Sequence, residues 1–257
     1  MSAISRWLAH PLARGLDPDD PDTTRVRRQI VASKPFLRRI YLEWYEKVVQ
    51  ALPPVDGAVL ELGSGAGFFR ETCPGAIATE VLLCGGVDAV VDARRLPFRE
   101  ASLRAIVMTD VMHHIPDCGQ FLREAERVLK PGGRIVMVEP WVSPWSTFIY
   151  TRFHPEPFRV DAATWDFPPS GPLSGANGAI PWLIFRRDLR RFQLDYPTLE
   201  LCRVEPFMPF RYLVSGGVSL RALAPAWTFK LWKCLEGMLS SLNPYLAMFA
   251  LIIVQRR

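Results

Sequence analysis

The stretch VLELGSGAGFF, Val59 to Phe69, constrains the fold more than any other. A short apolar run, 58–62, leads into glycines at 63, 65 and 67 and then into two phenylalanines. Glycine lets a backbone turn sharply and lets a ligand approach where a Cβ would obstruct it. A strand ending in such a turn is a nucleotide-type binding loop, and in an open parallel sheet it sits outside the carboxyl ends of the strands. The spacing here is GxGxG. A dinucleotide fold uses GxGxxG, with pyrophosphate at a helix N-terminus. Phe68 stands where the third dinucleotide glycine would be, and its ring would obstruct close strand–helix packing. An NAD-type oxidoreductase is therefore disfavoured.

The same alternation continues beyond the turn. The pattern predicts a brief helix over 67–73, ended by Pro74-Gly75, then strands over 76–81, 87–92, 103–110 and 134–139. A helix over 117–129 carries Phe121, Leu122, Ala125, Val128 and Leu129 on one face. It ends at KPGG, where Gly132 or Gly133 suits a left-handed cap. Apolar strands alternating with amphipathic helices predict a mostly parallel sheet covered on both faces. Between strands two and three only VLLCGG is available, too short for a crossover helix.

Around this core, 55–140, three further segments are expected. Residues 1–54 form an N-terminal helical segment, with Thr23 or Thr24 as cap and a break at Pro35. After it Leu37, Ile40, Tyr41, Trp44 and Val48 recur at helical spacing. Residues 141–184 hold many prolines and aromatics, Trp141, Trp145, Phe148, Tyr150, Phe153, Phe158, Trp165 and Phe167 among them. They read as an inserted lid whose aromatics mostly pack it onto the core and partly line an apolar pocket. The loop-rich GPLSGANGAIPW, 171–182, suits a closing segment. Residues 185–257 return to the core with a helix over 185–194 and strands over 199–207 and 246–255, interrupted by a helical insertion at 216–242. A chain of 257 residues, 49% hydrophobic, has material for one large core with such insertions.

Two acids stand where a ribosyl ligand needs acceptors. Glu80 ends strand two, the place of a ribose acid in nucleotide folds. Asp92 ends strand three, where a carboxylate accepts from an adenine amine. With VLELGSGAGF, VVDARRLPF, IVMTDVMHHIPD, FLREAERVLKPGG and RIVMVEP in that order, the chain resembles the class I S-adenosylmethionine-dependent methyltransferases. It is most similar to the branch of the ubiquinone/menaquinone and small-molecule enzymes. The resemblance covers about residues 55–140. It implies a Rossmann-like α/β fold: a seven-stranded, mostly parallel sheet with an antiparallel last strand, helices on both faces and, here, two insertions. It implies S-adenosyl-L-methionine as cofactor. Glu61, Gly63, Gly65 and Gly67 match the turn that holds its methionine part, and Glu80 matches the ribose acid. Asp92 with the backbone of Ala93 matches the adenine contact, where Leu82 or Leu83 is an alternative cover. Thr109 and Asp110 match the segment near the sulfonium.

Methyl transfer from a sulfonium needs alignment and exclusion of water, and a general base when the nucleophile is a hydroxyl or an acidic carbon. His113 and His114 follow strand four at the cofactor edge and are the catalytic candidates, with packing and capping as their alternative role. His154 in the lid is a weaker rival. The expected function is O- or C-methylation of a small, partly apolar acceptor, lipid-linked or quinone-like acceptors included. The alternative is an S-adenosylmethionine-binding protein without turnover, acting as a regulator or assembly partner.

The net charge of +5 is spread over arginine pairs such as Arg27-Arg28 and Arg94-Arg95. No basic block with interleaved aromatics marks a nucleic-acid tract, and strand four carries no (D/N)PP(Y/F) motif, so a nucleic-acid partner is disfavoured. The five cysteines form no CxxC pair; no zinc or other metal site is expected, and reduced thiols in a cytoplasm fit best. In the second insertion Leu231, Trp232, Leu235, Met238, Leu239 and Leu242 share a helical face near Lys230 and Lys233. Such a helix either docks on its own domain or lies on the inner face of a membrane. The oligomeric state is not encoded legibly.

Overall fold

Prolines at 21 and 35 set where the N-terminal helices begin in the computed structural model, which describes residues 8–154, 156–168, 171 and 173–257. The remaining positions of the expected N-terminal segment (1–7) and of the expected lid (155, 169, 170 and 172) lie outside the described residues. Helix α1 spans Pro21–Ser33 and α2 spans Pro35–Gln50. Asp20, not a threonine, caps α1: its carboxylate accepts from the amide of Asp22, and Thr23 and Thr24 are buried in the first turn. An aspartate just before a helical proline is the stronger cap, because the proline needs no partner for its nitrogen. Helix α2 buries the predicted stripe, Leu37, Ile40, Tyr41, Trp44 and Val48, with Phe36 and Tyr45 added.

Seven strands follow: β1 (Ala58–Leu62), β2 (Ile77–Glu80), β3 (Ala89–Val90), β4 (Leu103–Thr109), β5 (Leu129–Pro140), β6 (Leu199–Phe207) and β7 (Phe249–Arg256). Their order in one sheet is β3-β2-β1-β4-β5-β7-β6. Neighbours from β3 to β5 pair in parallel, and β7 runs antiparallel to both β5 and β6. Strand alternation splits the core in two. Leu60, Ile106, Met108, Ile135 and Met137 face one layer with Phe121 of α3 (Cys118–Val128). Val59, Ala105, Val107, Val136 and Val138 face the other, with Trp44 of α2. The fold is thus the Rossmann-like α/β sheet with a reversed last strand.

Several local expectations are corrected. No α-helix forms over 67–73; a single 3-10 turn, Phe69–Glu71, fits between the glycine turn and Pro74-Gly75. The short link after β2 leaves β3 only two residues long, paired through Thr79↔Ala89 and Glu80↔Val90. Helix α3 is capped by Asp117, which accepts from the amide of Gln120, and passes straight into β5. Gly132 does take a left-handed φ of +78, but inside β5, where the register against β4 shifts, not as a helix cap.

Beyond β5 lie α4 (Pro144–Phe153), with a Ser143–Ser146 capping box, and the single turn α5 (Ile180–Trp182). The expected helix over 185–194 is split into a π-helical turn, Leu183–Arg187, and α6 (Leu189–Asp195). Then come α7 (Arg211–Ser215), α8 (Phe229–Met238) and α9 (Asn243–Leu246). The last strand starts at Phe249 rather than 246 because Pro244 sits in the first turn of α9. Among the described residues no helix is long and apolar enough to cross a membrane.

Candidate functional site

The carboxyl ends of β1, β2, β4 and β5 open onto a cavity of about 630 Å3, in the range of small-molecule sites. Glu61, Gly63, Gly65, Gly67, Glu80, Asp92, Ala93, Thr109, Asp110, His113 and His114 all line it. The motifs, scattered over more than fifty positions of sequence, therefore meet in one place.

The glycine turn has no room for side chains. A Cβ on Gly63 would lie 2.4 Å from Cγ2 of Val111, and one on Gly67 would lie 2.4 Å from the Tyr45 hydroxyl. Gly63 and Gly65 take φ of +67 and +37, a region that favours glycine. The turn is closed by the amide of Ser64 donating to the carbonyl of Thr79 at 2.9 Å and that of Gly67 to Ser64 at 2.7 Å. Glu80 braces it from β2: one carboxylate oxygen accepts from the amide of Gly65 (3.0 Å) and the other from Val81 (2.8 Å). Burial raises the Glu80 carboxyl above its ordinary value despite these amides. Glu61 accepts from the Ser64 hydroxyl at 2.6 Å, and burial pushes it up to about 7.

Asp92 lines the cavity and is paired within its own loop. Arg94 grips it with its Nε and Nη2 at 2.7–3.1 Å, and the Arg94 bonds hold its carboxyl below the ordinary range. Leu82 and Leu83 do not line the cavity; Val81 and Val91 do, and Leu83 is 78% exposed.

Beyond the turn, β4 ends at Thr109 and is followed by Asp110, a non-glycine residue at φ +63. Its amide donates to the carbonyl of Val138 at 2.8 Å, which holds this sparsely populated conformation. Burial pushes the Asp110 carboxyl up to about 6, with His113 opposing. The next residues form a 3-10 turn, Met112–His114, clamped by Glu139 of β5. One oxygen of the fully buried Glu139 accepts from the amides of Val111 (2.9 Å) and Met112 (2.8 Å); the other lies 2.8 Å from Nδ1 of His113. Burial disfavours charge on His113, but the carboxylates of Glu139, Glu156 and Asp110 outweigh it and raise its basicity well above the ordinary value. His114 goes the other way, down to about 4, through burial and the charge of His113. Its Nδ1 lies 3.2 Å from the carbonyl of Gly175.

Sequence reasoning missed several lining groups. Tyr41 and Tyr212 come from α2 and α7, Arg27 from α1, and Glu156 from the lid. The helical period placed Tyr41 in a core stripe, and nothing marks Glu156 before the chain is folded. Of the lid aromatics Tyr150 lines the cavity, while Trp141, Phe158 and Trp165 are buried in the two cores and Phe153 is 65% exposed.

The model of a methyltransferase domain matches residues 60–137. Residues 60–137 thus carry a methyltransferase domain. Together with the sheet order this supports the class I S-adenosylmethionine-dependent methyltransferases. The 27-O-demethylrifamycin SV methyltransferase of Amycolatopsis mediterranei is 41% identical over 46 residues, 18% of this chain and 17% of that protein. The ubiquinone/menaquinone biosynthesis C-methyltransferase of Desulfotalea psychrophila is 31% identical over 110 residues, 36% of this chain and 45% of that one. The chain thus spans less than half of the length of these curated relatives. The fold is similar over almost its whole length to geranyl diphosphate C-methyltransferase from Streptomyces coelicolor A3(2). That match covers 97% of this chain and 89% of the other, with TM-score 0.51 at 16% identity.

S-adenosylmethionine is the cofactor of such a methyltransferase domain, and the cavity fits it. The glycine turn presents bare backbone to the cavity, and the acids around it complement an ammonium group and ribose hydroxyls.

Proposed function

We propose that the protein transfers a methyl group from S-adenosylmethionine to oxygen or carbon of a small, partly apolar acceptor. The observation that carries this reading is the continuity of the cavity. The glycine cradle and strand-end acids open directly onto a chamber of Tyr41, Tyr150, Tyr212 and Phe249 with two histidines. Relatives named for rifamycin and quinone methylation, and a neighbour in fold bound to geranyl diphosphate, support an acceptor of mixed polarity.

When bound, S-adenosylmethionine supplies a methyl group already activated by the positive charge on its sulfur. The chain's own residues do the rest. Glu61 and Glu80 hold the cofactor's polar groups where the bare backbone of the 63–67 turn lets it approach, with Asp92 and Ala93 at the adenine side. Thr109 and Asp110 face its reactive end. The lid excludes water, which strengthens every charge interaction inside. Of the two histidines His114 is the proton acceptor. Its Nδ1 hydrogen is committed to the Gly175 carbonyl, so the neutral ring presents a bare Nε2. His113 is tied to Glu139 and acts as a positioning residue. Mass-spectrometric detection of methylated product, with quinols, phenols and prenyl diphosphates as acceptors, tests the reading. Cofactor binding without transfer to any of them would return the protein to a binding role.

Peripheral contact with an anionic membrane through 216–242 belongs to the same proposal. Helix α8 docks through Phe229 and Glu236, leaving Leu231 and Met238 exposed beside Trp227, which is 80% exposed. Flotation with anionic liposomes is expected, and its absence removes this part.

A further inference from the structure

Three groups from two distant parts of the chain converge on one point of the cavity. Nε2 of His113 lies 3.6 Å from Oε2 of Glu156, and Nε2 of His114 lies 3.9 Å from Oε1. One ligand atom from each of the three residues lies within 4.8 Å of the others. These separations are too long for hydrogen bonds. They approach the edge of a tetrahedron around a metal: ligands at about 2.1 Å lie roughly 3.4 Å apart. We propose that His113, His114 and Glu156 form a site for a divalent first-row transition-metal ion of the zinc class, with an open position facing the acceptor chamber.

The second observation is independent of those distances. Both imidazoles have Nδ1 turned to an acceptor. That of His113 faces the Glu139 carboxylate at 2.8 Å, and that of His114 faces the Gly175 carbonyl at 3.2 Å. Each acceptor fixes the hydrogen on Nδ1 and turns Nε2 inward. A carboxylate or carbonyl behind each ligating imidazole is how proteins orient metal-binding histidines. Glu139 is itself immobilised by the amides of Val111 and Met112, so the His113 ring cannot rotate without breaking buried bonds.

Asp110 offers a fourth oxygen, 4.0 Å from Nε2 of His113. His154 does not join: its Nδ1 accepts from the amide of Glu156 at 3.3 Å. Two imidazoles favour zinc-class ions over magnesium, which takes oxygen ligands. The absence of a CxxC pair, which argued against metal in the sequence, speaks only to thiolate sites. The metal occupies Nε2 of His114, so in the metal-bound chain the open position would take an oxygen donor of the acceptor in place of proton uptake at that nitrogen; that clause alone rests on the methyltransferase reading.

The test uses the full chain, stripped with chelator, and Zn2+, Mg2+ and Co2+ alone as probes. Uptake of one equivalent of Zn2+, and of Co2+ with visible bands of a nitrogen–oxygen site, is expected. Glu139→Gln should weaken uptake about 10–100-fold, as for partners that orient ligating histidines. His114→Ala and Glu156→Gln should weaken it further, while Cys202→Ser on the surface leaves it unchanged. Circular dichroism and cofactor titration on each variant separate loss of the site from loss of the fold. No stoichiometric Zn2+ or Co2+, uptake of Mg2+ alone, or uptake indifferent to both ligand variants overturns the site. Metal uptake without any methyl transfer would sink the proposed function and leave the site standing. Full-rate transfer by metal-free protein that takes up no zinc would do the reverse.

Discussion

A single methyl group separates a working glycine turn from a blocked one. At Gly63 alanine would combine a left-handed φ with a 2.4 Å clash against Val111, whereas at Gly75, φ +86, nothing lies within 4 Å. Gly75→Ala should cost about 1–2 kcal/mol of stability from backbone strain alone. Gly63→Ala should cost roughly 1–3 kcal/mol more through overpacking and abolish cofactor binding. Chemical denaturation and cofactor titration of the two variants check this, and equal costs would refute the steric argument. Glu61 makes a second residue-level prediction. Burial lifts its carboxyl from 4.5 to about 7, so below pH 7 the free protein holds a proton there. In that window the folded state binds more protons than the unfolded chain. Stability of the free protein therefore falls as pH rises from 4.5 towards 7. A cofactor ammonium bound beside Glu61 drives the proton off. Affinity should therefore rise with pH, by up to about tenfold per unit below pH 7, and level off above it. Calorimetry across pH 5.5–8 reads this, and Glu61→Gln should flatten the profile.

At the scale of elements, α8 is held by a buried charge network as well as by Phe229, which packs on Phe36. Arg211 of α7, 6% exposed, donates through Nε to Glu236 at 2.5 Å and through Nη1 to Glu43 of α2 at 2.6 Å. Glu236 also accepts from the amides of Phe210 and Arg211, and Lys233 reaches Glu43 at 2.7 Å. Glu236→Ala strips a buried guanidinium of its main partner and should cost about 3 kcal/mol, read by urea denaturation. A cost below 1 kcal/mol would mean the helix is held by something else. None of this is legible in the sequence, because residues 43, 211 and 236 meet only through tertiary packing. The continuous apolar runs of β4 and β5 and the 3.6 period of α2 and α3 were legible, since burial on both faces of a strand or on one face of a helix writes itself directly into residue order. Strand ends were legible for the same reason: Glu80 and Asp110 break apolar runs. The π-helical turn at 183–187 was not. Its amide at Asp188 reaches back to the carbonyl of Leu183 at 2.8 Å while the carboxylate accepts from Trp165 at 2.8 Å, a choice made by a distant indole. The Glu156 carboxylate was equally invisible, being brought to the histidines by the course of the lid.

Over the whole molecule the cavity is closed by segments far apart in the chain. The sheet edge makes its floor. Its roof joins the lid to the N-terminal segment and to the 217–219 turn, all of which line the cavity. Lys34 ties that turn down, donating to the carbonyls of Gly217 (2.5 Å) and Leu220 (2.9 Å). Asp19, just before α1, latches the lid: one oxygen accepts from the amides of Leu173 (2.6 Å) and Ser174 (2.9 Å). The cofactor cradle lies on β1 and β2, elements that this latch does not touch. Asp19→Ala should therefore leave S-adenosylmethionine affinity within twofold, while exposing the 173–175 segment to limited proteolysis. Acceptor KM should rise several-fold, because loops that must be ordered at the moment of binding draw that cost from affinity. Bound cofactor with acceptor should restore protease resistance in the unsubstituted chain more than in the variant. Proteolysis unchanged by the substitution, or a cofactor affinity that falls together with acceptor KM, would show that lid and cradle are one rigid unit rather than two.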